Sequence, residues 1–106
     1  MLTFASARRL AEAWVQIVCG AGVEIVQEAT IAKPYGWIFF YQSSAFLTEP
    51  SDLSDALVGN APFLIDRYNG RIEVLGTTQP VADYLHEFEN SLSPPQLRIA
   101  PEYPVW

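Results

Sequence analysis

The run Gly36-Trp37-Ile38-Phe39-Phe40-Tyr41, followed by Gln42 and Ser43, is the most restrictive stretch of this 106-residue chain. Successive strand side chains point to opposite faces, so Trp37, Phe39 and Tyr41 fall on one side and Ile38 and Phe40 on the other. Neither side is polar. A strand in a one-sided sheet alternates apolar with polar residues, whereas an unbroken apolar run needs cover on both faces. Something must lie over each side of this strand, and the second cover is either a segment of the chain or a partner.

The chain has the length of one ordinary domain, and with 50% apolar and 17% charged residues it is too hydrophobic to be disordered. No apolar run approaches the roughly 18 residues of a membrane helix. In MLTFASARRL the arginines follow a short apolar start, the reverse of a secretory signal, which points to the cytoplasm. A single cysteine, Cys19, offers no intramolecular disulfide and no metal cluster. Twelve Asp and Glu against six Lys and Arg give a formal charge of −6. That balance disfavours nucleic acid or an anionic membrane as partner, because neutralising phosphates needs clustered cations; a basic protein would be attracted instead.

From Thr3 to Cys19, Ala7, Leu10, Ala11, Trp14, Ile17 and Val18 recur at helical spacing, with Thr3 as the cap and the Gly20–Gly22 stretch as the stop. Val23 to Gln27 predicts a short strand, leading through EATIAKP into the aromatic strand. Residues 43–59 read as a loop, with SDLSDALV from Ser51 as a possible helical turn. Ala61 to Arg67 and Arg71 to Gly76 form a hairpin about Asn69-Gly70, a pair in which both residues tolerate positive φ. Pro80 and Asp83 open a second helix with Val81, Tyr84, Leu85 and Phe88 as its apolar stripe.

The expectation is an α+β domain over residues 1–92, an antiparallel sheet of about four strands with an N-terminal and a C-terminal helix packed on one face. Residues 93–106, SPPQLRIAPEYPVW, hold four of the eight prolines and read as an extended tail docked on the body. This tail, a second copy of the domain, or a different protein could each cover the other face.

Candidate chemistry is sparse. His86, the sole histidine, lies on the second helix without a nucleophile or an orienting partner. Cys19 sits at a helix carboxyl end, where the dipole disfavours a thiolate. Asp66 and Glu73 flank the hairpin and could be paired as in a glycosidase, but nothing else in the sequence supports sugar chemistry. No phosphate loop or metal-ligand spacing occurs, so neither catalysis nor a cofactor is expected.

YGWIFFYQS at Tyr35–Ser43, GNAPFLIDRYNGRIEVLGT at Gly59–Thr77 and PVADYLHEFE at Pro80–Glu89 together resemble the immunity protein 35 family, found beside toxins in bacterial polymorphic toxin and effector systems. The motif positions present are Gly36, Trp37, Phe39, Gly59, Asn60, Pro62, Asp66, Gly70, Gly76 and Thr77. The resemblance implies a small α+β antitoxin that neutralises a cognate toxin by binding it, and it carries no catalytic residues over. An inhibitory patch would take aromatic anchors from Trp37, Phe39, Tyr41, Tyr68 and Tyr103. Asp66 and Glu73, with Asp52 and Asp55, would steer a basic toxin. The alternative is a chaperone-like or scaffold module that uses the same aromatic face to hold many clients, and a homodimer is compatible with either.

Overall fold

The computed structural model describes residues 1–50 and 60–106. Its first helix, α1, spans Phe4–Cys19; the Thr3 side chain accepts a hydrogen bond from the Ser6 amide, and Gly20 ends the helix. The short strands β1 (Val23–Ile25) and β2 (Ile31–Lys33) flank a single 3-10 turn, Gln27–Ala29. They pair with the two halves of the aromatic segment, β3 (Gly36–Phe39) and β4 (Tyr41–Ser43), in one interrupted antiparallel hairpin. Ile31 opposes Ile38 and Ile25 opposes Tyr41. The turn absorbs the extra residues between those two registers, while the Val26 amide still bonds the Phe40 carbonyl. The segment EATIAKP, expected to be a connection, thus supplies an additional strand, β2.

Ser43 caps a short helix, α2 (Ser44–Thr48), at the start of the expected loop. The possible turn at SDLSDALV lies outside the described residues. Strands β5 (Phe63–Asp66) and β6 (Ile72–Val74) complete a four-stranded antiparallel sheet in the order β2-β3-β5-β6. Helix α3 (Val81–Asn90) follows, with Pro80 at its N-cap and Asp83 in its first turn.

The α+β class and the antiparallel sheet agree with the sequence reading; the placement of the helices does not. Helix α1 packs Phe4, Ala7, Ala11 and Val15 on Trp37, Phe39, Tyr41, Phe63 and Ile65. Helix α3 covers the opposite face, where Leu85, Val81, Tyr84 and Phe88 meet Ile38, Leu64 and Leu75. The physical reason is the doubly apolar central strand: two helices on one face would leave Ile38 and Leu64 in water.

The second departure is in α1. Its buried stripe is Phe4, Ala7, Ala11 and Val15, whereas Ile17, expected inside, is 82% exposed and Val18 is exposed as well. Alanines at the contact let the helix approach the bulky Trp37 and Phe39 closely, which fixes the rotation of the helix.

The tail opens with a one-turn helix, α4 (Pro94–Arg98), so the prolines did not exclude helix as expected. They occupy its first turn, where no amide is needed, and Ser93 and Gln96 form a capping box. Beyond it an extended strap runs beside α1 along β3. Ala100 O accepts from Arg67 Nη1 at 2.8 Å, Glu102 O accepts from the Trp37 indole Nε1 at 2.7 Å, and the Trp106 ring meets Phe4 edge-on at a centroid distance of 5.0 Å. Glu102 also accepts from the Phe4 amide at 2.7 Å, and Arg8 donates to Trp106 O at 2.6 Å while lying over its ring.

Candidate partner-binding surface

The anchors expected from the sequence separate into two sets. Trp37 and Phe39 have no exposed surface and Tyr41 is buried beneath Trp14, whose ring centroid is 5.8 Å away. These three are core side chains. No partner reaches them without removing α1 or the strap, and their assignment as contact residues is corrected accordingly. They make one apolar side of the central segment and Ile38 and Phe40 the other, which is why both sides are covered.

Tyr68 and Tyr103 do reach solvent, 38% and 70% exposed respectively. Tyr68 sits on the β5–β6 loop. There Gly70 N bonds Asp66 O at 2.8 Å, and Gly70 alone in the loop takes positive φ, 74°. The expectation that Asn69 would share that conformation is not met, because residues 67–71 all lie between the strands and the turn is wider than a two-residue hairpin. Asn69 instead accepts from the Arg71 amide through its side chain, and Asp66 Oδ1 accepts from the Tyr68 amide at 2.8 Å. Asp66 is therefore first a turn-forming residue.

Glu73 and Arg71 alternate with Ile72 and face the α3 side. With Asp66, Tyr84, Glu87 and Phe88 they line an open groove of about 560 Å³ between β6 and α3. The hairpin thus gathers Asp66, Tyr68 and Glu73, whereas Tyr103 stands apart on the strap. Asp52 and Asp55 lie outside the described residues.

Sequence reasoning missed the exposed apolar border of the other face. Leu10, Ile17 and Val18 of α1 and Val74 of β6 remain in solvent around Trp14, whose ring lies tilted against Phe63 with centroids 4.3 Å apart; Phe63 pairs directly with Val74. The available signal was the width of the apolar arc on α1. Phe4-Ala7-Ala11-Val15 and Leu10-Trp14-Ile17-Val18 are two adjacent stripes, more than one helix face can bury against one sheet.

Several motif residues hold the frame. A side chain at Gly36 would run into the Ile65 carbonyl oxygen, and one at Gly76 into the Tyr84 hydroxyl, which Thr78 N and Oγ1 hold in place. Asn60 Nδ2 donates to Tyr41 O at 2.6 Å. Tyr35, buried against Phe88, donates to Glu89 Oε2 at 2.6 Å. Burial, then the Glu89 hydrogen bond and charge, push its hydroxyl far above the ordinary tyrosine value. Burial likewise raises Tyr41 and Cys19. Among the described residues no three His, Cys, Asp or Glu side chains gather closely enough to hold a metal, and no helix is long and apolar enough to cross a membrane.

What the fold defines is a small α+β domain with both sheet faces closed by its own chain and with polar and aromatic groups exposed around its last hairpin. The chain belongs to the immunity protein 35 family, whose model matches residues 5–91. Over 54 residues it is also 44% identical to an Escherichia coli (strain K12) protein described as "Uncharacterized protein YrhB". That match takes in 51% of this chain and 56% of the relative, so the likeness spans about half the relative's length. No solved structure matches the chain significantly.

Proposed function

We propose that this protein is an antitoxin that acts in the cytoplasm by binding a cognate toxin and occluding its active site. The family match over residues 5–91 carries this reading. The net charge of −6 supports a basic toxin as the target. Tyr68, Tyr103, Asp66 and Glu73 are the partner-facing residues in this proposal, with body 1–92 as the binding unit and strap 93–106 as its brace. No bond is made or broken by the protein itself; inhibition needs only shape, a few aromatic anchors and a charged rim.

The experiment is co-expression with the toxin encoded beside the gene. Rescue of growth together with a stable complex of the two purified proteins is the expected result. Rescue lost in a Tyr68→Ala/Tyr103→Ala double variant that still folds would place the interface at those rings. A neighbouring toxin that neither binds the protein nor is neutralised by it would refute the reading.

A further inference from the structure

We infer that β6 is a self-association edge: a second copy of this chain adds its own β6 antiparallel to the first, in the register centred on Ile72. Strand β6 is the last in its sheet, with no neighbour on its outer side among the described residues. Its inner bonds fall on alternate residues, since Asp66 N bonds Arg71 O and Leu75 N bonds Pro62 O, with Glu73 opposite Leu64 between them. The amides and carbonyls of Ile72 and Val74 therefore point outward, and an edge of this kind is a template for another strand.

Edge strands usually carry charges that keep other strands away. Here the charges are of opposite sign, two residues apart and on one face: Arg71 and Glu73 both line the α3-side groove, and neither makes an ion pair among the described residues. A twofold axis through Ile72 sets each Arg71 opposite the other copy's Glu73, giving two attractive cross-strand pairs. It also makes Ile72 a mutually hydrogen-bonded pair. The alternative twofold register, centred on Glu73, sets that carboxylate against its own copy and is disfavoured. On the other face the same docking covers Ile72 and the 52% exposed Val74, beside the exposed Leu10 and Ile17 that border the half-buried Trp14 of α1. A three-residue edge alone falls short of the roughly 800 Å² per partner of a stable interface, and this apolar border supplies the continuation. The inference stands apart from the identity of any toxin.

Sedimentation across a concentration series tests it, on the full chain and on Arg71→Glu, Glu73→Arg and the double exchange, with circular dichroism to verify folding. The wild type should form a concentration-dependent dimer. Each single reversal should weaken it by roughly tenfold or more, because two attractions become two repulsions, and the exchange should restore it. The Ile72 amide should exchange more slowly at high concentration. A wild type that stays monomeric up to about 1 mM overturns the inference. So do a dimer indifferent to the single reversals, an exchange variant that folds but stays as weak as they are, or an Ile72 amide blind to concentration.

Discussion

Gly36 shows how narrowly some positions are specified. Its neighbour across the sheet is the Ile65 backbone, so even a methyl group must push two strands apart. Gly36→Ala should cost on the order of 2 kcal/mol or more, read as a shift in the urea midpoint. Trp37→Phe removes the donor to Glu102 and opens a void; about 2–4 kcal/mol of destabilisation is expected from the same measurement. Tyr35 adds a pH dependence. Its folded hydroxyl titrates above the ordinary value of 10.0, so the folded state keeps its proton while the unfolded chain loses it. That contribution is complete below about pH 10 and declines as pH rises further, with Tyr41 acting in the same sense. Tyr35→Phe should therefore flatten part of the alkaline fall in melting temperature, while costing about 1–2 kcal/mol at neutral pH through the lost bond to Glu89. The aromatic run announced that Trp37 and Phe39 needed cover, but not by what. A ring that fills a core and one that anchors a partner are the same side chain, and only packing separates them.

At the scale of elements, the two long helices α1 and α3 and the hairpin were legible because their caps and turns are local chemistry: Thr3, Pro80, Asp83 and Gly70 act where they stand. The rotation of α1 was not legible. Two apolar stripes competed, and the shape of the sheet beneath favoured the alanines over Leu10 and Ile17. Strand β2 escaped notice because two of its three residues, Ala32 and Lys33, are poor strand formers and Pro34 follows them; its register comes from β3. The strap was read as extended, and its opening turn was missed because prolines forbid only the interior of a helix. Residues 99–106 contribute a packed indole and several hydrogen bonds to α1 and β3. Truncation after Arg98 should thus lower stability by on the order of 3 kcal/mol, roughly 10–20 °C in Tm by calorimetry. Unchanged melting would show that the strap is not a brace.

On the scale of the whole molecule, both faces of the sheet are closed from within: α1 and the strap on one side, α3 on the other. Interaction is left to rims and edges. Association with a basic toxin through Asp66, Glu73 and their neighbours should slow as salt rises, mostly in the on-rate, and stopped-flow mixing at two ionic strengths would measure it. A salt-independent on-rate would argue for the aromatic rings of Tyr68 and Tyr103 as the governing contacts. The overall class was readable from the order of the segments. The sidedness was not, because which helix covers which face is set by three-dimensional closure and leaves no mark in local spacing.

The meeting of Phe4 with Glu102 and of Arg8 with Trp106 also has a consequence for biosynthesis. Helix α1 cannot complete its seat until residues 99–106 have been made, so a nascent chain stalled before them would leave the Trp37 indole N–H without its acceptor. Such fragments should be preferred clients of chaperones and proteases.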